Sequence, residues 1–597
     1  MASALDYHNR TKHHFHRFAR SLGFLDWASQ PNPFRRYEGA RIVILPRQPL
    51  ALDIPYGQIY QASLPDRSPD PLTPGTIAEF LRCSLGLSAW KQYGSSRWAL
   101  RVNPSSGNLH PTEGYIVTGL PALTSTPGRS DGQPPSTLSV FHYAPREHLL
   151  EERGVMEAAD GDLPGAGWSD AFLVGLTSIH WREAWKYGER AFRYCQHDAG
   201  HAIAGLRLAA SLFGWRMALL PRWSDTDVST LLGLEPRVGH RDAPEIRRPG
   251  SPDPEESEQE SPEREWPERE WPDCLAVVGR GDVRAFVAAD PEALVAAVRR
   301  ASWHGTPNCL SPHREEWPLI EDAARATGFP GVKTLSPGFQ DPRGQRSTAV
   351  QRPDDEPAPS LSAPGPGTST LAPGTDPVLA RSVILQRRSA LGFDGRSSLP
   401  KATFVSMLQR LGPGAPPWDA IWWEAHVHLV LFVHRVDGLP GGMYAFVRAP
   451  GGADALRAAC RDDLLWEAVP EAEGLFLLAP LDCRAIAKRL SCDQDIAADG
   501  FFALAMIARF EEPLRSRGDW FYRNLFWECG MVGQVLYLEA EAAGARATGI
   551  GCYYDDPVHD LLGLSGHAWQ SLYHFSMGVP VEDSRLTTEP GYEWEGT

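Results

Sequence analysis

The stretch "GERAFRYCQHDAGHAIAGLRLAASLFGWR", residues 188–216, decides the fold because the chain contains it in two versions. The second version is "GDWFYRNLFWECGMVGQVLYLEAEAAGAR", residues 518–546, and the two align without gaps. Gly200 falls on Gly530 and Gly214 on Gly544, so both pairs share one offset. The same offset places "DTDVSTLLGL" (225–234) on "DDPVHDLLGL" (555–564). A constant offset over this length predicts a tandem duplication.

Each copy predicts a long helix that is apolar on nearly all sides and therefore buried. The helix is expected to end at Gly214 or Gly544, where glycine occupies the usual C-terminal position, and a short strand and a small helix follow. Small residues such as Gly200 and Ala202 allow close packing between helices. We therefore expect the two copies to form with each other the interface that two subunits of a dimer would form.

Composition excludes several classes of protein. A net charge of −16 disfavours nucleic acid and anionic membranes as partners. The nine cysteines include no C-x-x-C pair, which is typical of a reducing compartment. There is no apolar run long enough for a membrane span, and the N-terminus has no signal-peptide core. These features predict a cytoplasmic protein.

No metal site is predicted. The N-terminal histidines His8, His13, His14 and His16 have no carboxylate or cysteine ligands at suitable spacing in the sequence. Cys529 and Cys552 are interpreted as small core residues.

Two segments divide the chain, because their compositions cannot form a core. The predicted organisation is a first domain over 1–247, an acidic proline-rich insertion over 248–273, the end of the first domain with a connecting segment over 274–335, a Pro/Gly/Ser linker over 336–377, and a second domain over 378–597.

Three stretches carry residues suited to chemistry: "PSSGNLHP" (104–111), "KYGERAFRY" (186–194) and "RSVILQRRSALGFDG" (381–395). Two hydroxyls, a glycine and an amide before a strand serve either turn geometry or an anion-wrapping loop. The R-R-S triplet is either a solvated basic helix end or a bidentate anion grip. The residues alone leave both alternatives open.

In their order and context, these motifs resemble the FMN-dependent nitroreductase superfamily, and within it the SagB-type dehydrogenases that include azoline oxidases. The resemblance implies an α+β fold with two nitroreductase-like lobes, each a mixed, mainly antiparallel sheet flanked by helices, forming a pseudo-dimer within one chain. It also implies that a helix beginning R-R-S grips the FMN phosphate, that a P-S-x-x-N loop from the partner lobe covers the flavin, and that a glycine-bearing strand runs along its ring.

Carried over residue by residue, the resemblance gives cofactor-binding and catalytic roles. The cofactor-binding residues would be Arg387, Arg388, Ser389, Gly549, Ile550 and Gly551 of the second copy, and Pro104, Ser105, Ser106 and Asn108 of the first. The catalytic pair would be Lys186 and Tyr187. Lys186 would be the base that takes a proton from the ring carbon beside the nitrogen, and Tyr187 would share the proton or orient the substrate.

The motifs are divided unequally between the copies. The second copy has no P-S-x-x-N loop and carries Ser516 and Arg517 in place of the Lys-Tyr pair. The first copy has "ALLPR" (218–222) where the second has "TGIGC" (548–552). We therefore expect one complete site per chain, assembled from both copies.

The function that follows is an FMN-dependent oxidoreductase that dehydrogenates or reduces a small molecule or a peptide-derived substrate. NAD(P)H is the candidate transient electron donor and oxygen the candidate acceptor. The alternative is a non-catalytic flavin-binding or scaffolding subunit of a peptide-modifying complex. The sequence leaves open whether the chain joins a further oligomer or a biosynthetic complex.

Overall fold

The structure is a computed structural model that describes residues 3–61, 67–124, 137–157, 168–234, 268–332, 378–449 and 451–595. The predicted linker 336–377 and most of the predicted insertion 248–273 lie outside these residues. Residues 271–273, which the sequence assigned to the insertion, instead begin a strand. They are continuous with the apolar run "CLAVV" (274–278), and the strand pairs with its neighbour from Trp271 onwards.

The first half of the chain contains the elements that end at residue 326. The strands are β1 (Tyr37–Glu38), β2 (Arg41–Ile44), β3 (Leu87–Tyr93), β4 (Ser96–Arg101), β5 (Thr112–Thr118), β6 (Thr137–Ala144), β7 (Leu149–Glu157), β8 (Ala171–Ser178), β9 (Arg216–Leu219), β10 (Trp271–Gly279), β11 (Ser302–Trp303) and β12 (Thr306–Pro307). The helices are α1 (Ala4–Arg10), α2 (Pro74–Ser84), α3 (His180–Tyr187), α4 (Ala191–Ser211), α5 (Asp225–Leu232), α6 (Arg284–Ala288), α7 (Glu292–Arg299) and α8 (Pro318–Ala326).

The second half begins at residue 378. Its strands are β13 (Leu399–Pro400), β14 (Val427–Val433), β15 (Val436–Asp437), β16 (Gly442–Phe446), β17 (Glu467–Ala468), β18 (Leu475–Pro480), β19 (Phe502–Arg509), β20 (Arg546–Ile550), β21 (Trp569–Gly578) and β22 (Thr587–Pro590). Its helices are α9 (Ala380–Gln386), α10 (Lys401–Gln409), α11 (Gly452–Ala459), α12 (Arg484–Leu490), α13 (Ile496–Asp499), α14 (Glu511–Arg517), α15 (Phe521–Ala542) and α16 (Pro557–Leu562).

Each half is built on one large antiparallel sheet, so the chain has the expected α+β class. The first sheet has the order β11-β7-β6-β5-β8-β10-β9, with β2 added beside β7, and the second has the order β17-β18-β16-β14-β19-β21-β20. The central orders β6-β5-β8-β10-β9 and β16-β14-β19-β21-β20 have the same connectivity. The predicted long helices, α4 and α15, are each followed by a short strand and a small helix, which confirms that part of the prediction.

Both sheets are buried on both faces, and alternate side chains along a central strand enter different cores. In β8, Phe172 and Val174 join a core that runs through both halves, whereas Leu173 joins a core confined to the first half. In β19, Leu504 faces the shared core and Ile507 faces a core confined to the second half. The shared core therefore lies between the two sheets.

Helices α4 and α15 cross in the shared core at two glycines. A Cβ atom on Gly200 would lie 2.2 Å from the backbone oxygen of Trp527, and one on Gly530 would lie 2.1 Å from that of His197. All 21 residues of α4 are buried. The helices thus meet backbone to backbone, and the two glycines in contact are the pair that the sequence repeat aligns.

Two ion pairs, one buried and one partly buried, exchange partners between the halves. The Arg193 guanidinium of the first half contacts the Asp555 carboxylate of the second at 2.6 Å. The equivalent Arg523 of the second half contacts Asp225 of the first at 2.9 Å. Reciprocal contacts of this kind are the mark of an isologous interface, in which one surface patch meets its own equivalent.

Both ends of the described chain pack on the opposite half. Near the N-terminus, the Ala4 amide donates to Asp519 and Lys12 pairs with Asp556 at 2.7 Å. At the C-terminus, β22 adds to the β3–β4 hairpin, and Arg82 binds Glu595 through two hydrogen bonds. No helix among the described residues has the length and apolar character needed to cross a membrane.

The glycine crossing gives a stability prediction. Gly530→Ala is expected to lower the thermal unfolding midpoint strongly, because overpacking against rigid backbone costs on the order of 1–3 kcal/mol or more. Gly205→Ala is the matched control on the facing helix, since its Cβ would lie 3.6 Å from the nearest atom. Alanine at that position should be neutral or stabilising by up to about 1 kcal/mol. Equal midpoints for the two variants, measured by circular dichroism melting, would contradict the crossing.

Candidate functional site

A cavity of about 430 Å³ lies between the two halves. Most of the predicted site residues line it: Pro104, Ser105, Ser106, Asn108 and Tyr187 from the first half, and Arg387, Arg388, Ser389, Gly549, Ile550 and Gly551 from the second. Lys186 is not among the lining residues. Motifs from opposite halves of the sequence therefore line the same cavity.

The two arginines of the R-R-S triplet lie at one end of this cavity, where Arg387 is buried and Arg388 half-buried. Arg387 donates from Nη2 to the Arg101 carbonyl at 3.0 Å, and Arg388 donates to the Ser88 carbonyl at 2.7 Å. The Arg387 Nε is buried and has no hydrogen-bond partner. Within the described ranges, no carboxylate lies at salt-bridge distance from either guanidinium. Both guanidiniums thus donate to neutral carbonyls and to no anion.

This environment favours an anion. Burial lowers the pKa of Arg387 below its ordinary value. Burial and the neighbouring Arg387 charge lower the pKa of Arg388 to about 9. An anion placed between the two guanidiniums would reverse both effects, because opposite charge stabilises the protonated form. Paired guanidiniums are also the donors best suited to phosphate or carboxylate oxygens.

The R-R-S triplet does not begin a helix, which corrects the sequence expectation. Helix α9 ends at Gln386, and the triplet follows it in extended backbone. Ser389 forms a bridge with Ala547 of β20, and its hydroxyl lies 3.0 Å from the Tyr537 hydroxyl. Ser389 therefore caps no helix and instead joins the triplet to the glycine-bearing strand.

Tyrosine side chains in the cavity wall leave no space for a side chain at the two glycines of "TGIGC". A Cβ on Gly549 would lie 1.9 Å from the Tyr573 hydroxyl, and one on Gly551 would lie 2.6 Å from the Tyr194 ring. Tyr194 belongs to the first half and donates to the Gly551 carbonyl at 3.0 Å. The strand is thus held against both halves, with the arginines near its start and Tyr194 near its end.

The polar side chains of the P-S-S-G-N loop bind the protein itself. The Asn108 amide donates to the Ala99 carbonyl at 2.8 Å, and the Ser105 hydroxyl accepts from the His110 amide at 2.7 Å. The Ser106 amide and hydroxyl both donate to Asp198. Gly107 and Asn108 have φ angles of 59° and 60°, which residues other than glycine, asparagine and aspartate seldom adopt. These groups fix the loop's shape at the cavity wall.

Gly107 lies against the predicted catalytic pair. A Cβ there would lie 2.5 Å from the Tyr187 hydroxyl and 3.1 Å from the Lys186 Nζ. Lys186 and Tyr187 form the last turn of α3, directly before α4. Burial and the nearby Glu183 raise the pKa of Tyr187 well above its usual range, so its phenol stays protonated. Tyr187 lines the cavity, and the Lys186 Nζ lies beside Gly107 without lining it.

A pair of buried carboxyl groups supports the loop from beneath, and the sequence interpretation missed it. Asp198 accepts from the Ser106 amide at 3.1 Å, and Glu183 accepts from the Ser105 hydroxyl at 3.4 Å. Burial raises the pKa of Asp198 to about 8, and burial and the Asp198 charge raise that of Glu183 well above its usual range. A lone acid within the apolar repeat helix was the available signal.

The equivalent place on the other side of the interface is closed. A space of only about 20 Å³ remains there, bordered by Leu219, Leu220, Trp422, Trp527 and Phe329. Leu219 and Leu220 stand where the second half has Gly549 and Ile550. Large side chains therefore fill the position at which the open cavity has glycine.

The Asp198 carboxyl gives a pH prediction. Its folded-state pKa lies above the unfolded value, so its contribution to stability is full below about pH 4 and is lost as the pH rises towards 8. One proton corresponds to at most about 1.4 kcal/mol per pH unit. Asp198→Asn should therefore reduce the fall in melting temperature between pH 5 and pH 8. Asp463→Asn, at an exposed position, should leave the fall unchanged. An Asp198→Asn curve parallel to that of the wild type would contradict the raised pKa.

Comparison with known proteins finds a family model that matches part of the second half. Residues 384–579 match the Nitroreductase family model. Across 97% of this chain and 100% of the other, the structure resembles that of a putative nitroreductase from Anabaena variabilis ATCC 29413, with 19% identity and a TM-score of 0.62. That likeness shows a shared fold over both halves.

Two further similarities are partial. A putative nitroreductase from Ralstonia eutropha JMP134 is 15% identical over 34% of this chain and 83% of its own, with a TM-score of 0.24. A chain of the E. coli microcin synthetase McbBCD complex with truncated pro-MccB17 bound is 18% identical over 33% of this chain and 70% of its own, with a TM-score of 0.25. The curated proteins contain no significant match. The family match therefore covers residues 384–579, and the whole chain shares its fold with the Anabaena variabilis protein.

Proposed function

We propose that this protein is an FMN-dependent oxidoreductase of the nitroreductase and SagB type, with one flavin bound between its two halves. The observation that carries the proposal is the pair of adjacent guanidiniums, Arg387 and Arg388. They have no carboxylate in contact among the described residues, and they face the same cavity as the loop and tyrosine of the other half. The proposal includes the tandem duplication, with the chain acting as its own dimer.

The duplication is supported by the symmetry of the interface. Gly200 and Gly530 are equivalent in the repeat and contact each other in space, and the Arg193–Asp555 and Arg523–Asp225 pairs exchange partners between the halves. A nitroreductase-like site assembled across a dimer interface would then lie within a single chain. The open cavity and its filled counterpart agree with one such site per chain.

The residues present fit FMN. Its phosphate is an anion for which Arg387 and Arg388 supply donors, including the unpartnered Nε of Arg387. From Ala547, which bridges to Ser389, the chain continues to Gly551 over on the order of 13 Å of extended backbone. Gly551 contacts Tyr194, whose aromatic ring therefore lines the cavity at the end of the strand away from the two arginines. The 430 Å³ volume is within the usual range for small-molecule sites.

FMN, when bound, would supply hydride transfer, and the protein would supply position and protons. Tyr187 keeps its phenol proton and can donate a hydrogen bond into the cavity. Lys186 is proposed as the base, reached beside Gly107, for a proton from a carbon next to nitrogen. The substrate class is a small molecule or a peptide-derived heterocycle, with NAD(P)H or oxygen as the electron partner.

The phosphate assignment predicts a loss of flavin affinity. Arg388→Gln should weaken FMN binding roughly 10- to 100-fold, because a charge-assisted hydrogen bond contributes about 1.5–3 kcal/mol. Arg396→Gln, at an exposed position close in sequence, should have no effect. Fluorescence titration of the apoprotein with FMN measures both affinities and should reach its end point at one equivalent per chain. Equal affinity in the two variants would refute the assignment, and two tight equivalents would refute the single site.

The catalytic pair predicts a loss of turnover without loss of flavin. Lys186→Gln and Tyr187→Phe should lower the oxidation rate of a thiazoline-containing peptide by about 100-fold or more, the usual range for general acid–base groups. Lys488→Gln and Tyr93→Phe are surface controls that should retain the full rate. Oxygen consumption reports the rate, and the flavin absorbance reports retained cofactor. Full turnover in Lys186→Gln would exclude Lys186 as the base.

The same preparation separates catalysis from scaffolding. A yellow protein whose absorbance is bleached by NADPH or by a substrate and restored by air is an enzyme. Protein that stays colourless after FMN is added would contradict the proposed flavin site. It would also contradict the alternative that the chain is a non-catalytic flavin-binding subunit.

A further inference from the structure

Two cysteines and a histidine from three distant parts of the chain converge at the edge of the cavity. Cys492 follows α12, Cys552 follows β20, and His13 follows α1 of the opposite half. The two sulfur atoms lie 3.1 Å apart, and the Cys552 Sγ lies 3.9 Å from the His13 Nδ1. All three ligand atoms lie within 4.8 Å of one another. The sequence assigned His13 to no site and Cys552 to the core, whereas Cys552 is half-buried and lines the cavity.

We propose that His13, Cys492 and Cys552 bind a zinc-class divalent cation through three protein ligands. Two thiolates and an imidazole are ligands that zinc prefers, with bonds of about 2.0–2.3 Å. Tetrahedral geometry at those bond lengths separates ligand atoms by roughly 3.3–3.8 Å. The two sulfur atoms, 3.1 Å apart, are closer than that range, and the Cys552 Sγ and His13 Nδ1, 3.9 Å apart, are slightly beyond it, so metal binding requires the side chains to rotate.

The backbone around the three residues is already held together. Gln494 donates to the carbonyls of Ser491 at 2.8 Å and Cys552 at 3.0 Å, which ties the two cysteine segments to each other. The Asp555 amide donates to the His13 carbonyl at 3.1 Å, and the His13 amide donates to the Asp555 carboxylate at 2.8 Å. These four hydrogen bonds fix the ligand-bearing segments independently of any ion, as partners beyond the ligands do in metal sites.

The ligand set suits a divalent cation. The two thiolates would balance the charge of the ion. The closest arginines, Arg190 and Arg193, are engaged with Asp555 at 2.9 Å and 2.6 Å. Because Cys552 also lines the cavity, the proposed fourth ligand is water or a substrate from the cavity.

The test uses the full-length protein and does not depend on flavin. Elemental analysis of the purified protein should find about one zinc per chain. After chelation, Co²⁺ added to the protein should give the near-ultraviolet absorption of thiolate–cobalt charge transfer and a visible band of tetrahedral cobalt. Cys492→Ser and Cys552→Ser should each weaken Co²⁺ binding at least tenfold, and His13→Ala should also weaken it.

Matched controls separate the site from general effects. Cys309→Ser removes an exposed cysteine and His16→Ala an exposed histidine of the same N-terminal segment, and both should bind Co²⁺ like the wild type. Unchanged melting temperatures in the metal-free variants would show that folding is intact. Retained Co²⁺ spectra in Cys552→Ser would overturn the proposal. Metal-free protein whose mass is lower by two hydrogens, reversibly with reductant, would also overturn it and identify a dithiol–disulfide pair instead.

Discussion

The contact between Gly200 and Gly530 constrains the rest of the structure. Two long buried helices can approach backbone to backbone only where neither carries a side chain, and any Cβ at these positions would overlap a carbonyl of the other helix. This contact fixes the separation and register of α4 and α15. Because Lys186 and Tyr187 precede α4 and the glycine-bearing strand β20 follows α15, the contact also sets how far these two motifs lie from each other.

The interface between the halves contains one open cavity and one counterpart that is nearly filled. The interface is nearly symmetric, as the exchanged pairs Arg193–Asp555 and Arg523–Asp225 show. The walls, however, differ by a few side chains: Gly549 and Gly551 on one side correspond to Leu219 and Pro221 on the other. The two halves therefore share a similar backbone arrangement at the interface, although the side chains that line the two cavities differ.

Much of the fold could be predicted because its signals are local in sequence. The repeat, the buried helices, their terminal glycines and the strand and small helix that follow depend on periodicity and on residue type. The structure of the R-R-S triplet could not be predicted in this way. Its extended form depends on the bridge between Ser389 and Ala547, a contact between segments that are distant in the chain.

The site was predictable only in part for the same reason. The motifs that are divided between the copies lie around one cavity, except that Lys186 does not line it. For the Asp198–Glu183 pair, the sequence offered only a lone acid in the apolar repeat helix. The cluster of His13, Cys492 and Cys552 left no sign, because each of these residues is ordinary in its own segment. Their proximity arises from tertiary packing, and spacing along the chain does not encode it.

The helix crossing also has a consequence for synthesis. Helix α4 leaves the ribosome with a buried-type surface whose partner, α15, belongs to the other half of the chain. At about 5–20 residues per second, synthesis from Gly200 to Gly530 takes roughly 15 to 65 seconds. During this time the surface of α4 that packs on α15 has no partner.

During that time, neighbouring nascent chains present the same unpaired surface. The covalent connection favours the intrachain partner, because it keeps the two surfaces at a high effective concentration once both exist. Strand β22 completes the β3–β4 sheet only after residues 587–590 have been synthesised. The cavity therefore forms only after both halves have been synthesised, and a chain that stops before α15 would expose the surface of α4 that is otherwise buried.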